Sequence, residues 1–288
     1  MPLSDELLAW ATLTRTPALD ARALEPLLQV FGSAAALLAA SDARRERAGI
    51  AAEARRHLNS PRRAAPAEIA WLERPRHHVV PFTDAHYPKL LNALRDKPVA
   101  LYVSGDLGAL ADPQLAIVGS RNPTPQGCET AFEFAQHLAD RGIGITSGFA
   151  EGIDTAAHRG ALAARGVTVA VLGSGIDTIY PRCNRQLGES VTERGVLLSE
   201  FPLGTAARRS NFPRRNRIIA ALSRGTLVVE AAHGSGSLIT ARIALSLGRT
   251  IFAVPGSIRN PMSRGCHELI KKGAKLTESA DDILSELG

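Results

Sequence analysis

The segment Leu115-Ala-Ile-Val-Gly-Ser-Arg121 has the composition of a short buried strand that ends in a glycine turn. Five further apolar runs of this kind follow at intervals of roughly 25 to 30 residues, which is the spacing of βαβ units on a parallel sheet. These runs begin at Gly144, Thr168, Val196, Thr226 and Thr250. The repeat predicts a doubly wound α/β fold.

The segments between the runs are long enough for crossover helices. Residues 128–141, 154–165 and 238–247 mix apolar and polar positions near the helical period. Earlier in the chain, Val79-Val-Pro-Phe82 and Val99-Ala-Leu-Tyr-Val103 have the composition of two added strands. In such sheets a ligand lies outside the carboxyl ends of the strands, where glycines let backbone N–H groups approach it. The glycine turns therefore predict one shared binding edge.

The first 60 or so residues are rich in alanine and leucine and show no strand pattern. Three short helices are predicted there, over residues 6–11, 23–31 and 34–40. The stretch Asn59-Ser-Pro-Arg-Arg-Ala-Ala-Pro66 has the polar, proline-rich composition of a linker. We therefore expect a small helical domain over residues 1–65 and a Rossmann-like domain over residues 66–288.

The chain has 288 residues, three cysteines and a formal net charge of +6. An odd number of cysteines without Cys-x-x-Cys spacing favours a reducing compartment over a disulfide framework or a zinc site. Asp5 and Glu6 argue against a secretory signal, and no apolar run approaches the roughly 20 residues of a membrane span. We expect a cytoplasmic protein that uses no membrane, metal or other cofactor.

Positive charge is concentrated between Arg208 and Arg217, where five of ten residues are arginine and none is acidic. Guanidinium groups bind phosphate and stack on bases, and Phe212 offers an aromatic face within the same segment. This pattern favours single-stranded nucleic acid as the partner. The alternative is a solvated start of a helix, which is the usual role of a charge run.

Three other patterns limit the chemistry. Gly173-Ser-Gly-Ile-Asp-Thr178 lacks the third glycine of a dinucleotide fingerprint, and no Walker A motif occurs, so hydride transfer and ATP hydrolysis are not favoured. Asp154 and His158 lie one helical turn apart, and we expect Asp154 to cap the helix and pair with His158. Glu230 precedes a Gly/Ser loop that suits a phosphate and, less readily, catalysis by the carboxylate.

Seven short motifs occur in order along the sheet region. They are Ile117-Val-Gly-Ser-Arg121, Ser147-Gly-Phe-Ala-Glu-Gly-Ile-Asp-Thr-Ala-Ala-His158, Tyr180-Pro-Arg-Cys-Asn-Arg-Gln-Leu187, Ser199-Glu-Phe-Pro202, Asn211-Phe-Pro-Arg-Arg-Asn-Arg-Ile-Ile-Ala-Ala-Leu-Ser223, Gly234-Ser-Gly-Ser-Leu-Ile-Thr-Ala241 and Ala253-Val-Pro-Gly256. This succession closely resembles the DNA-processing protein DprA (Smf) family, from about Pro81 to Gly288. The N-terminal region resembles the SAM-like helical module that often precedes the sheet in that family.

The resemblance implies an extended Rossmann-like fold and no enzymatic activity. It implies a cytoplasmic homodimer that binds incoming single-stranded DNA in natural transformation, protects it and helps to load the RecA recombinase. Many members also carry a winged-helix domain after the sheet, which we do not expect in this chain. The amphipathic segment from Cys266 to Gly273 and the adjacent sheet edge are the candidate dimer contact.

The resemblance also implies which residues bind DNA. Arg121 and Arg182 match the basic residues of the family's pocket, although Arg182 stands where lysine is common. The expected DNA- or phosphate-binding residues are Gly119, Ser120, Arg121, Gly173, Gly175, Arg182, Asn184, Arg214, Arg215, Asn216, Arg217, Gly234, Ser235, Gly236 and Ser237, with Phe212 as the candidate for base stacking. No catalytic or metal-binding residue is expected.

Two alternatives stay open. The sheet with a Gly-rich loop and Glu230 also resembles the nucleoside-monophosphate phosphoribohydrolases of the lysine-decarboxylase-like group, although their Pro-Gly-Gly-x-Gly-Thr motif is absent. The second alternative is a scaffold whose dimer face recruits a recombinase and whose basic patch is incidental.

Overall fold

The computed structural model describes residues 4–60 and 66–287, and the strands within those ranges form one sheet. The strands are β1 (His77–Pro81), β2 (Ala100–Gly105), β3 (Gln114–Val118), β4 (Gly144–Ser147), β5 (Thr168–Val171), β6 (Val196–Ser199), β7 (Gly225–Val228), β8 (Thr250–Ala253) and β9 (Lys275–Leu276). Their order in the sheet is β1-β2-β6-β5-β4-β3-β7-β8-β9. Each predicted strand is present.

The order in which the chain adds strands to the sheet reverses between β3 and β7. From β3 the chain moves outward through β4 and β5 to β6, and it then returns to the other side of β3 with β7. These strands are parallel, and Val118 of β3 lies beside Val228 of β7 at their carboxyl ends. Such a reversal leaves a crevice outside the strand ends, where ligands of open α/β sheets bind. The predicted doubly wound, mostly parallel sheet is confirmed, with β1 and β2 added antiparallel at one edge.

Helices cover both faces of the sheet and form the N-terminal region. They are α1 (Asp5–Leu13), α2 (Ala21–Phe31), α3 (Ala34–Ala39), α4 (Asp42–Arg47), α5 (Ala52–Leu58), α6 (Pro66–Leu72), α7 (Pro125–Asp140), α8 (Ile153–Ala163), α9 (Arg185–Arg194), α10 (Asn211–Leu222), α11 (Gly236–Ser246), α12 (Arg264–Lys271) and α13 (Ala280–Leu287). The six helices predicted from the pattern lie within α1, α2, α3, α7, α8 and α11, give or take two residues.

Strand β3 shows why a continuous apolar run is required here. Leu115 and Ile117 pack with α7 and α8 on one face, whereas Ala116 and Val118 pack with α10 and α11 on the other. All four side chains are buried, as expected for a parallel strand covered on both faces. The glycine turn after β3 is therefore held by a rigid strand.

The N-terminal helices pack directly on the sheet. Trp10 and Trp71 share one buried cluster with Val79 of β1 and Tyr102 of β2. The helical region and the sheet thus bury a common apolar surface, which the linker-like composition before α6 does not reveal. The predicted domain boundary at residue 65 lies outside the described residues.

A buried polar network crosses the same contact. The Tyr102 hydroxyl donates to Glu68 Oε1 at 2.5 Å and lies 3.0 Å from Thr14 Oγ1. Arg15 forms an ion pair with Glu68 Oε2 at 3.0 Å. This network joins the C-terminal end of α1 and helix α6 to the centre of β2.

Candidate nucleic-acid interface

An open cavity of about 790 Å³ lies at the carboxyl ends of β3 and β7. We call it the switch-point cavity. Of the residues predicted to bind DNA, those that line it are Gly119, Ser120, Arg121, Phe212, Arg215, Asn216, Gly234, Ser235, Gly236 and Ser237. A smaller cavity of about 190 Å³ shares Arg121, Tyr180 and Phe212 with it and reaches Gly173. The structure thus brings the predicted glycine turns after β3, β5 and β7 together around these two adjoining cavities.

The turn after β3 presents Arg121 to this cavity. A Cβ atom on Gly119 would lie 2.6 Å from Ile153 Cγ1, so only glycine lets α8 begin this close to the strand. The Ile153 N–H donates to the Ser120 carbonyl at 3.1 Å, and the Asn122 N–H donates to Ser120 Oγ at 3.1 Å. With the turn held in this way, the exposed Arg121 side chain supplies a positive charge at the crevice.

Two aromatic rings accompany Arg121. Its guanidinium carbon lies 4.9 Å from the centroid of the Phe212 ring, within the range of a cation–π contact. The Tyr180 ring lies 5.9 Å from that of Phe212, tilted by 39°. The site therefore combines a positive charge with aromatic surface, two features typical of sites that bind single-stranded nucleic acid.

The start of α11 forms another wall of the cavity. Ser235 caps this helix by accepting from the Ser237 N–H at 3.4 Å, and the two hydroxyls lie 2.8 Å apart. Backbone N–H groups at a helix N-terminus favour an anion, and Gly234 and Gly236 leave space for one to approach. The loop after β7 and the turn after β3 can therefore serve the same phosphate-containing ligand.

Arg215 lies at the floor of the cavity and is almost fully buried. Its side chain is buried, and Nη1 donates to the backbone carbonyls of Gly148 and Val171. Burial lowers the pKa of Arg215 to about 10, which leaves it charged at neutral pH. Burial also raises the pKa of Asp154, while the nearby Arg215 charge opposes that rise. That Arg215 takes a DNA phosphate stays a prediction, although its Nη1 atom already donates to these two carbonyls.

Arg214 and Arg217 point away from the switch-point cavity. Arg217 pairs with Glu200 at 2.5 Å and with Asp96 at 2.9 Å, and Arg214 Nε lies 3.4 Å from Glu200 Oε1. Both arginines line a separate cavity of about 590 Å³ between the N-terminal helices and the sheet. That Arg214 and Arg217 bind DNA phosphates stays a prediction, and both lie outside the switch-point cavity because a helix presents consecutive residues to different sides.

Three further predicted residues lie outside the cavity. Asn184 is buried, and its side-chain amide donates to the Phe149 carbonyl at 3.1 Å and to Thr155 Oγ1 at 2.9 Å. Gly175 is also buried. Arg182 is exposed beside Pro181, which lines the smaller cavity. Of the three, only Arg182 has the exposure that binding requires.

The predicted pairing of Asp154 with His158 is wrong. Asp154 accepts instead from the Ala150 N–H at 3.2 Å, just before α8. His158 is buried and its Nδ1 lies 2.7 Å from Thr168 Oγ1, which donates to the Ile145 carbonyl. The expected cap is also absent, since Gly152 is the N-cap of α8 and no side chain caps that helix.

Glu230 holds the start of α7. Its carboxylate accepts from the Thr124 N–H at 2.9 Å and from Thr124 Oγ1 at 2.6 Å. With a side chain only 8% exposed, Glu230 offers little carboxylate surface to a substrate. This geometry favours the structural role over the catalytic one.

The cavity lining includes residues outside the predicted set, among them Asn122, Tyr180 and Arg209. Tyr180 lies in the Tyr-Pro motif and Arg209 in the arginine run, so both stood in segments already singled out. The sequence alone did not indicate toward which side of its turn or helix each of these side chains would point.

Residues 4–60 and 66–287 lack two features that would point to other functions. No group of three or more His, Cys, Asp and Glu side chains there is placed to hold a metal ion. No helix in those ranges is long and apolar enough to cross a membrane.

A parallel sheet with glycine turns and an arginine at its switch point defines a class of phosphate-binding α/β proteins. Comparison with known families gives a narrower assignment. Residues 78–288 match the model of the family described as DNA recombination-mediator protein A, and the chain belongs to that family.

Curated relatives support the assignment. Protein Smf of Escherichia coli is 50% identical over 236 residues, which is 82% of this chain and 63% of that protein. The DNA processing protein DprA of Streptococcus pneumoniae is 45% identical over 203 residues, 70% of this chain and 72% of that protein. The chain therefore spans less than two thirds of the first relative and somewhat more of the second.

Solved structures support the fold. The X-ray structure of DprA from Streptococcus pneumoniae aligns over 99% of both chains with a TM-score of 0.82 and 35% identity. A Helicobacter pylori DprA structure, whose subject is its single-stranded DNA binding mode, covers 74% of this chain and 95% of that chain, with a TM-score of 0.67 and 30% identity.

Proposed function

We propose that this protein binds single-stranded DNA in the switch-point cavity, protects incoming strands during natural transformation and promotes their loading with the RecA recombinase. The observation that carries the proposal is the convergence of Arg121, the start of α11 and two aromatic rings on one open crevice. The single-stranded DNA binding named for the Helicobacter pylori relative supports it.

The expected binding mode is directed at the DNA backbone. Arg121 and the exposed Arg209 would take phosphates, and the N–H groups around Ser235 and Ser237 would take another. Duplex DNA keeps its bases stacked inside, so the aromatic rings would favour a single strand. Exposed Arg182, on the rim, would extend the track beyond the cavity.

A salt series with labelled oligo-dT tests this mode. We expect log Kd to depend on log salt with a slope of about 0.7 per phosphate contacted, and Arg121→Ala to weaken binding and reduce that slope by about one contact. Arg56→Ala on α5 removes the same charge from an exposed position far from the cavity and should change little. Salt-independent binding would refute the proposal, as would equal loss in both variants.

Dimerisation and recombinase loading belong to the same proposal. The candidate contact remains α12 with the β9 edge, next to the exposed side chains of Leu245 and Leu276. Sedimentation of the protein and of Leu245→Glu would test the dimer. RecA filament formation on coated single strands would test loading, with Arg121→Ala predicted to abolish the stimulation. Stimulation that survives in Arg121→Ala would favour the scaffold alternative.

The phosphoribohydrolase alternative is not favoured. Both Glu230 carboxylate oxygens accept from Thr124 in place of a substrate or water. Release of free base from AMP, abolished in Glu230→Gln, would reverse this conclusion.

A further inference from the structure

Tyr180 is the exposed aromatic residue of the site. Its side chain is 49% exposed and lines both the switch-point cavity and the smaller cavity beside it. The other two tyrosines, Tyr87 and Tyr102, are buried in the core. An exposed aromatic ring at a cavity mouth presents the flat surface on which a base stacks, and the sequence motifs did not single it out for that role.

Phe212, in contrast, already has neighbours on several sides. The Arg121 guanidinium covers its ring at 4.9 Å, and the tilted Tyr180 ring lies 5.9 Å away. A Cβ atom on Gly173 would lie 2.7 Å from Phe212 Cδ1, so this glycine packs closely against the ring edge. A base that stacked on Phe212 in place of the guanidinium would displace the charge that the phosphate needs.

These contacts give the two rings different tasks. A cation over an aromatic face is restricted in position, and Arg loses less conformational freedom on binding when it is held beforehand. Phe212 is itself held by Gly173 and by the first turn of α10. The contact therefore fixes the direction of the Arg121 guanidinium, and only the Tyr180 ring keeps the exposure that a base requires.

We propose that Tyr180 is the base-stacking residue of the switch-point cavity, whereas Phe212 is a positioning residue that holds Arg121 for a backbone phosphate. This inference rests on the proposed single-stranded DNA binding and replaces the expectation that Phe212 stacks on a base. It separates recognition of the base from recognition of the phosphate within one site.

Two labelled strands of equal length separate the roles, oligo-dT and an abasic strand with the same phosphates. For the unchanged protein we expect tighter binding of oligo-dT, by roughly 5- to 100-fold, which is the range of base–aromatic stacking. Tyr180→Ala should bring this ratio close to one, because it weakens the binding of oligo-dT far more than that of the abasic strand. Tyr180→Phe, which keeps the ring, should retain the ratio.

Phe212→Leu should behave differently. It should weaken binding of both strands by the same factor, keep their ratio and lower the salt slope as Arg121→Ala does. The double variant Arg121→Ala with Phe212→Leu should bind no more weakly than Arg121→Ala alone, because Phe212 acts through Arg121. A cooperative thermal unfolding transition verifies that Phe212→Leu is folded. Only a folded Phe212→Leu variant can be compared with Arg121→Ala.

The outcomes distinguish the inference from the function on which it rests. If the unchanged protein binds neither strand, the proposed function itself fails. If it binds both equally, or if Tyr180→Ala keeps the ratio while Phe212→Leu removes it, the function stands and the assignment of the rings is overturned. Additive losses in the double variant would overturn the positioning role of Phe212, and Tyr180→Ala tests the stacking role even if Phe212→Leu does not fold.

Discussion

Arg215 carries its charge at the floor of the cavity that the DNA is proposed to occupy. Its Nη1 atom donates to the carbonyls of Gly148 and Val171, which follow β4 and end β5. Arg121 supplies an exposed charge above it, and Arg217 pairs with Glu200 elsewhere. Chemically identical side chains therefore bind backbone carbonyls, remain exposed at the cavity or form a buried ion pair, according to the partners that the fold brings to each.

Removing the carboxylate next to Arg215 should destabilise the protein. Asp154→Asn removes the negative charge that favours the buried guanidinium, and we expect a loss of about 1 to 3 kcal/mol in the free energy of unfolding. The exposed pair of Glu189 with Arg185 provides a matched control, since Glu189→Gln should cost under about 0.5 kcal/mol. Urea unfolding of both variants measures the difference, and equal effects would contradict the proposed role.

His158 should make stability depend on pH. Burial lowers its pKa from 6.5 to about 3. The unfolded chain takes up a proton below 6.5, whereas the folded protein does not until about 3, so stability present above 6.5 is lost as the pH falls between the two values. This amounts to about 2 kcal/mol from pH 7 to pH 5.

The variant His158→Asn isolates this contribution. It removes the titrating ring, so the difference in unfolding free energy between pH 7 and pH 5 should shrink by about 2 kcal/mol, whatever the variant's stability at pH 7. Urea unfolding at the two pH values gives the comparison. An unchanged pH dependence would mean that His158 is not kept neutral by burial.

At the scale of elements, helix α7 depends on a contact from across the switch point. Thr124 caps α7 by accepting from the Gly127 N–H at 3.0 Å, and it donates its own N–H and hydroxyl to Glu230 after β7. Thr124→Ala should lower the unfolding free energy by about 1 to 2 kcal/mol. Thr124→Ser, which keeps the hydroxyl, should lose much less in the same urea measurement. Equal losses would show that the hydroxyl contributes little.

The sequence predicted every strand from β1 to β8 and the crossover helices α7, α8 and α11, because each has a strong local pattern. Leu115 to Val118 is apolar throughout, and the turn that follows begins with the glycine that the fold requires. The site was harder to predict. The arginines of α10 fall on different sides of a helix, and the partners of Arg217, namely Asp96 and Glu200, come from distant segments. Exposure, which distinguishes Tyr180 from Phe212, arises only in the folded chain.

For the whole molecule, the shared core predicts cooperative unfolding. Trp10 and Trp71, the only tryptophans of the chain, lie in the cluster that joins the N-terminal helices to β1 and β2. Tryptophan fluorescence should therefore report the same urea midpoint as circular dichroism, which follows mainly the larger sheet region. A fluorescence transition at a clearly lower urea concentration than the circular dichroism transition would indicate that the helical region unfolds independently.

The polar network across this contact should contribute to that cooperativity. Tyr102→Phe removes the hydroxyl that contacts Glu68 and Thr14, and we expect it to lower the unfolding free energy by about 1 to 3 kcal/mol. Ser190→Ala, on an exposed turn of α9, should cost far less in the same assay. A negligible effect of Tyr102→Phe would show that this hydroxyl does not hold the two regions together.

The switch point also sets when the cavity can exist during synthesis. The two walls of the cavity follow strands β3 and β7. These strands are neighbours in the sheet, but roughly 110 residues of chain separate them, and the start of α11 comes later still. A ribosome must therefore release the chain past Ser237 before Arg121 acquires its opposing wall. A growing polypeptide with only the first strands exposed has no formed pocket, so it is not expected to hold a strand of DNA in the way proposed for the completed sheet.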